Sequence, residues 1–571
     1  MTEGFLRLSA GGIGGKGDGL ALLASLVDES GTGVALREAV PGLAIAIPRT
    51  ATIGVDAFAE FTSANMLRGT AAAAPDWPSL REAFLASPLP GHLVEALDAF
   101  LPEAGRPLIC RSSSLLEDAR DAPFSGVYES YAIPNSHAHR AMRLRQLCDA
   151  VRLVYASLFS PGAIAYREAA GCPEDSEAMA VLIQELVGSA RGRWFYPVLS
   201  GTAQSFNYYP LSYARPEDGL CVAALGLGSH VVEGGASHRF CPLWPLLDAT
   251  PPELAGDGAQ RTFRALDLEL AEPDLTKGES AALAELDIEA AEGNGVLDLV
   301  ASTWDRDDLR LVPGALRDGP RIIDLAPVLK YEVLPFAKAI AAALAAAERT
   351  TGGPVELEFA LEAGGRADPP DKAGPTLYLL QLKKLRRARG GSGVDLSESH
   401  GTNCLVFSER AMGEGRIAGL RDLVWIDPDT FDRSRSREAA EQVAVLDREL
   451  GALGKRYILI GPGRWGSRDP WLGIPVDYPQ IVHAAAIVET ELPGFAVEFS
   501  FGSHFLRNVS GRGIGYLAVP SRGASGVDWE SLSALPRLRS MGSCSWSQSE
   551  EPLEVLMDGL NGRALIRTAT E

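Results

Sequence analysis

The sequence predicts a mixed α/β protein of several domains. Short runs rich in Val, Ile and Leu alternate with segments of helical period, and most of the apolar runs stop at Gly, Ser or Pro. The 571 residues correspond to roughly three to four domains at about 150 residues each. Hydrophobic residues make up 46% and charged residues 22%, enough apolar material for several cores.

The elements follow in order. Phe5-Leu6-Arg7-Leu8 alternates like a strand and leads into a glycine loop. Asp18–Val27 is helical, with Leu20, Leu22, Leu23 and Leu26 near one face. Ala44–Ile47, stopped by Pro48, is a strand, and Pro107–Arg111 is a second one ending at a serine cluster. Ala178–Val187 is apolar and ends at Gly188; its short length and Val-Leu-Ile run favour strand over helix. Trp194–Tyr209 is aromatic-rich and β, and Val222–Leu227 is a strand running into glycines. Ala337–Arg349 is an alanine-rich helix. Val355–Leu361 and Thr376–Leu382 are strands flanking a Gly-, Pro- and Asp-rich turn, so they predict an antiparallel hairpin with a long loop. Arg386–Gly393 is basic and then glycine-rich, as a domain boundary would be. A second apolar region begins at Cys404–Phe407, and no repeat of 20 to 50 residues is evident.

Net charge is −21, which argues against broad electrostatic binding of nucleic acid. Any phosphate ligand must be held by local cations. The seven cysteines form no CxxC pair and are odd in number, so they read as reduced thiols of a cytoplasmic protein. The histidines show no zinc spacing. No signal peptide is evident at Met1–Ala10, and no run of about 18 uninterrupted apolar residues suggests a membrane span. Nucleic acid and membrane are therefore not expected partners.

Two segments match GxGxxG. Gly12–Gly17 follows a strand and precedes a helix, but the expected second strand with an acidic end is missing, so a dinucleotide fold fits poorly. Its glycines still allow backbone N–H groups near an anion, and Lys16 adds a charge. The bland alternative is a plain turn. Gly461–Gly466 is followed too soon by Pro470 for a long helix, so a structural loop around a buried Trp465 is favoured over an anion site at Arg464 and Arg468.

Taken together, several segments resemble the ATP-binding region of the phosphoenolpyruvate synthase and pyruvate, phosphate dikinase family. They are Gly14-Gly-Lys16-Gly17; Ile47-Pro48 with Phe58 through Asn65; Arg111-Ser-Ser-Ser114 with Glu117-Asp118 and Phe124-Ser-Gly126; Gln184-Glu185; Gly226-Leu-Gly228 with Val231-Val-Glu-Gly234; and Glu356-Leu-Glu358-Phe359 with Leu380-Gln381-Leu-Lys383. The resemblance covers about residues 8 to 388. It implies an ATP-grasp-like domain over 1–388, in two subdomains of about 1–180 and 181–388, then a linker at 389–402 and a smaller α/β domain of unknown role at 403–571.

It also implies ATP and Mg²⁺ as ligands. Lys16 and Arg111 would neutralise phosphates, Gln184 and Glu185 would lie beside adenine, and Gly226 and Gly228 would form a second loop at the nucleotide. Glu358 and Gln381 would hold the metal and nucleotide, with Lys383 nearby. The implied activity is a kinase-like phosphotransfer to a phosphoacceptor protein or to a small carboxylate such as pyruvate. Ser229 departs from the family's glutamate and Lys383 from its arginine. No "TSHAA"-like phosphohistidine motif is present, and the residues after 388 are fewer than the roughly 250 of an eight-stranded barrel. His504, in Phe501-Gly-Ser-His504-Phe505, is a candidate phosphoacceptor; the rival reading packs it between the two phenylalanines. His230 and His238 flank the Gly-Leu-Gly loop and read as loop residues. Rival functions are a non-catalytic ATP sensor or scaffold, an ATP-grasp carboxylate–amine ligase and, more distantly, a dinucleotide oxidoreductase.

Overall fold

The computed structural model describes residues 4–28, 31–74, 76–115, 127–169, 177–207, 213–247, 259–305, 310–364, 374–385, 396, 404–467, 472–492, 499, 514–521, 523–558 and 562–569. The chain divides into two compact units. The first holds Met1–Val231 and Ala236–Leu385; the second holds Val232–Gly235 and Arg386–Glu571. Helices and strands mix in both, as an α/β chain requires.

Two sheets organise the first unit. One has five strands in the order Phe5–Arg7, Thr50–Ile53, Met179–Glu185, Leu108–Ser114 and Ser130–Ile133, with only the first pair parallel. The other has six, in the order His238–Phe240, Leu220–Ala224, Leu199–Gln204, Val355–Glu362, Thr376–Lys384 and Ala44–Ala46, with the last pair parallel. The hairpin expected from the turn chemistry is present at its centre. Met179–Glu185 is a strand, which resolves that ambiguity, and it lies in the first sheet.

Alternation decides the faces of the six-stranded sheet. Leu357, Phe359, Leu361, Ala203 and Leu379 enter the main core, packed with Ile340, Ala343, Leu344 and Ala347 of the alanine-rich helix Phe336–Thr351. That helix stops where Gly352 adopts a left-handed conformation (φ 71°) and returns its N–H to the Glu348 carbonyl. The opposite face of the sheet carries Ser200, Thr202, Gln204, Glu356, Glu358 and, from the neighbouring strand, Gln381 and Lys383.

Two local expectations change. The Gly14–Gly17 segment is not a loop before the helix but its first turn, since the helix runs Gly14–Val27. A Cβ on Gly14 would lie 2.0 Å from the Ser113 carbonyl oxygen, and its φ is 71°. Glycine there serves the close approach of helix and strand, which local propensity does not reveal. Likewise the serine cluster is part of the strand Leu108–Ser114, because its partner Met179–Glu185 extends the ladder to Ser114.

The second unit has one large sheet. Four parallel strands, Glu414–Ile426, Tyr457–Pro462, Ala484–Thr490 and Gly515–Val519, lie side by side, and Cys544–Asp558 continues the sheet antiparallel to the first of these. Ile458, Ile460, Ala486, Val488, Leu517 and Val555 build its core. The helix Ser436–Ala452 connects the first two parallel strands, as a parallel crossover demands. Among the described residues, Arg140–Arg167 is long and apolar enough by composition to span a membrane, yet 67% of its most apolar window is buried inside the protein.

Candidate nucleotide site

The polar face of the six-stranded sheet meets a polar face of the five-stranded sheet, both in the first unit. On the latter, Arg111 and Ser113 are two residues apart and share one side; Gln184, on the neighbouring strand, shares it too. Ser113 engages the glycine helix: its Oγ accepts from the Gly17 N–H at 3.0 Å and donates to the Ile13 carbonyl at 2.6 Å. Gln184 reaches toward the hairpin, with Nε2 3.5 Å from the Leu380 carbonyl. The helix itself packs on the hairpin strand Thr376–Lys384.

Arg111 bridges the two sheets. Its Nη2 donates to Glu358 Oε2 at 2.8 Å and to Gln381 Oε1 at 2.7 Å. Glu358 and Gln381 stand directly opposite each other across the hairpin, beside a bulge that inserts Leu380. Lys383 Nζ lies 3.6 Å from Glu358 Oε1, so the carboxylate sits between two cations. Lys16 Nζ donates to Ser112 Oγ at 3.1 Å, on the same strand as Arg111. Lys16, Glu358 and Lys383 are all at least nine-tenths buried. Burying charges this way is unfavourable unless they are paired, so the arrangement is held by its partners.

The structure therefore gathers Arg111, Glu358, Gln381 and Lys383 into one cluster and sets Lys16 and Gln184 at its edges. The glycines of the Gly-Leu-Gly turn join the same sheet face through Ser200, whose Oγ donates to the Gly226 carbonyl. Glu185 points the other way, pairing with Arg49 at 3.2 Å and Arg106 at 3.5 Å. His230 is buried with Nε2 2.9 Å from the Ala236 carbonyl. His504, Arg468, Glu117, Asp118, Phe124 and Gly126 lie outside the described residues, as does the expected linker apart from Leu396. Arg464 and Trp465 are buried in the second unit; Arg464 Nη1 donates to the Gly234 carbonyl and Trp465 Nε1 to the Val488 carbonyl, in keeping with a structural loop.

Sequence reasoning passed over three residues of this face. Glu356 accepts from Gln204 Nε2 at 2.7 Å and stands opposite Lys383, and Thr202 stands opposite Glu358. The signal was available: in a strand, Glu356 must share the face of Glu358. Counting Lys16 at its edge, this face brings three cations, Lys16, Arg111 and Lys383, against two carboxylates, Glu356 and Glu358. It is locally positive within a protein of net charge −21.

A family model described as pyruvate phosphate dikinase, AMP/ATP-binding domain, matches residues 11–400. The chain belongs to this family. Its first unit is thus a nucleotide-binding module of the phosphoenolpyruvate synthase and dikinase type. Phosphoenolpyruvate synthase of Aeropyrum pernix is 26% identical over 163 residues, covering 27% of this chain and 18% of that protein. A probable phosphoenolpyruvate synthase of Methanocaldococcus jannaschii is 32% identical over 127 residues, covering 22% of this chain and 9% of that protein. The chain therefore matches less than a fifth of either relative's length.

Proposed function

We propose that this protein binds ATP with Mg²⁺ and acts as a phosphotransferase. The observation that carries this reading is the Arg111–Glu358–Gln381–Lys383 cluster, positive overall and enclosed between two sheets. A carboxylate held by exchangeable cations suits a polyphosphate ligand. When phosphate oxygens enter, Arg111 gains a planar, bidentate alternative to Glu358 and Gln381. Lys16, in the first turn of the glycine helix, adds a point charge and the positive end of the helix dipole to the same ligand.

The donor set also fits Mg²⁺. Glu358 and Gln381 offer hard oxygen atoms, and this ion is commonly held by one or two carboxylates together with substrate phosphates. Gln381 Nε2 is buried without a hydrogen-bond partner among the described residues, so the amide orientation is set by its oxygen and not by its nitrogen. When bound, the ion would neutralise charge on the phosphate chain. The residues orient and neutralise the nucleotide; release of Arg111 from Glu358 leaves that carboxylate available to the ion.

The relatives' names suggest pyruvate or phosphoenolpyruvate as the second substrate, and a phosphoacceptor protein is the alternative destination. A reading without turnover, an ATP sensor, draws support from Ser229, which brings no carboxylate to the Gly-Leu-Gly turn. The free thiols of Cys110, Cys148, Cys221, Cys241, Cys404 and Cys544 suit the cytoplasm. Calorimetric titration with ATP, with and without Mg²⁺, followed by analysis of the nucleotide products tests the proposal. Tight binding and AMP or ADP release support it; binding without any product leaves the sensor; no binding overturns both.

A further inference from the structure

The first unit also holds a cleft of about 680 Å³, a size within the range of small-molecule sites. Lys16, Arg111, Gln184, Glu358, Gln381 and Lys383 take no part in its lining. Its walls come from three stretches of chain. They are Ala190–Gly192, at the tip of the hairpin formed by Ser189–Arg191 and Trp194–Tyr196; the turn Ala291–Asp298; and the segment Ala315–Arg321. Asn294 pins the turn to the hairpin, since its Nδ2 donates to the Tyr196 hydroxyl at 3.2 Å. Gly293 and Gly295, on either side of Asn294, bring no side chain into the space.

Two arginines line this cleft, Arg191 and Arg321, and their side chains are only 10% and 11% exposed. Each is anchored through one end of its guanidinium. Arg191 lies over the Tyr196 ring, 4.7 Å from its centre, and its Nη1 donates to the Ser189 carbonyl at 3.0 Å and to the Tyr196 carbonyl. Arg321 Nη1 donates to Thr303 Oγ1 at 3.0 Å and to the carbonyls of Arg317 and Gly319 at 2.6 and 2.9 Å. The other edge, Nε with Nη2, makes no hydrogen bond in either residue among the described residues. Arg321 Nε is buried and lies 3.3 Å from Glu292 Oε1 without bonding it. Arg191 Nη2 stands 3.6 Å from Glu362 Oε2. Such an edge is a fork that grips a carboxylate by two parallel N–H bonds. Leaving buried donors of a charged group unused is costly, so two of them beside one cleft call for a ligand.

We propose that this cleft is a binding site for a small dicarboxylate, with one carboxylate on the Nε–Nη2 edge of Arg191 and the other on that of Arg321. Each guanidinium then trades a distant or poorly aligned carboxylate for a bidentate one, and keeps its Nη1 anchor. Glu292 is the partner that gives way, because its side chain is 49% exposed and can turn to water. Asp298 also lines the cleft, but its Oδ1 accepts from the Ala315 backbone N–H at 3.1 Å and so holds the wall in place. The two lining carboxylates also set selectivity. They oppose a lone monoanion, which can satisfy one guanidinium at most, and a ligand with two anionic ends offsets them by engaging both. The site makes no use of ATP and stands apart from the function proposed above.

The experiment is calorimetric titration of the full-length protein with malonate, succinate and glutarate, against acetate, with hydrogen exchange to locate what binds. At least one of the three dicarboxylates should bind about tenfold or more tighter than acetate. It should protect the peptides that contain Arg191, Asn294 and Arg321. Arg191→Lys and Arg321→Lys keep the charge and lose the planar fork, so each should weaken that binding by about tenfold, whereas Arg111→Lys should leave it unchanged. Equal affinity for acetate, protection elsewhere in the chain, or loss of binding in Arg111→Lys alone overturns the proposal. So does the absence of binding, which would mean a cleft filled by water only. ATP binding is read in a separate titration, so failure here leaves the nucleotide reading standing. Because the exchange is measured on the unaltered protein, a variant that fails to fold does not blunt the result.

Discussion

Glu358 in the first unit and Asp447 in the second are both buried carboxylates, yet their partners differ in kind. Glu358 is held by the side-chain cations Arg111 and Lys383. Asp447 is held by a tyrosine hydroxyl, a backbone N–H and an imidazole. A cation can trade a carboxylate for a phosphate at little cost, because one charge-assisted bond replaces another. Hydroxyl and backbone donors have nothing comparable to gain. The first carboxylate is therefore part of an exchangeable site, and the second is a fixed anchor that orients its neighbour.

The largest expected effect breaks the first arrangement. Arg111→Ala leaves Glu358 buried beside one cation fewer and should destabilise the first unit by about 3–5 kcal/mol, read from denaturant unfolding. Glu358→Gln leaves both Arg111 and Lys383 without their shared carboxylate and should cost a similar amount; no loss in either variant would mean that these pairings do not hold the cluster. Next, Lys16→Ala should weaken ATP binding by about 1.5–3 kcal/mol, on the order of ten- to hundredfold in Kd. Unchanged affinity would place the phosphates elsewhere. Tyr457→Phe sharpens the second half of the contrast: it removes one neutral donor from Asp447 and should cost about 1 kcal/mol without changing ATP affinity.

The smallest effect concerns acid stability. The Arg193 guanidinium hydrogen-bonds Asp267 and holds its carboxyl below the ordinary range. A depressed carboxyl contributes stability above its unfolded-state value and loses it as the pH falls through the folded value. Asp267→Asn should therefore flatten the acid limb of a stability–pH curve slightly and leave stability near neutral pH reduced by well under the Arg111 effect. An unchanged acid limb would show that this pair is screened.

Much of the hairpin was legible. Glu358 lies on a strand that alternates, and the Gly-, Pro- and Asp-rich turn after it announces the reversal, while the Leu379-Leu380 run conceals the bulge that sets Gln381 opposite Glu358. The helix start was less so. Gly14 through Gly17 reads as a loop because glycine is a poor helix former, yet the Ser113 carbonyl and hydroxyl require glycine in that first turn. Glu185 shows the opposite limit: it neighbours Gln184 in sequence, but strand alternation sends it to Arg49 and Arg106 instead of the site. The Asp447–His483 pair was invisible, because 36 residues separate its members and neither belongs to a recognisable motif.

The family resemblance named Lys16, Arg111 and Lys383; periodicity and turn chemistry by themselves determined the mixed α/β class and the hairpin. These depend on neighbours within a few residues, where side-chain direction follows from φ and ψ alone. The tertiary structure alone decided that Arg111 would close on Glu358 and Gln381, and that His483 would meet Asp447. Those contacts join residues far apart in the chain, and only the register of paired strands and the packing of a helix on them sets which side chains come within hydrogen-bond reach.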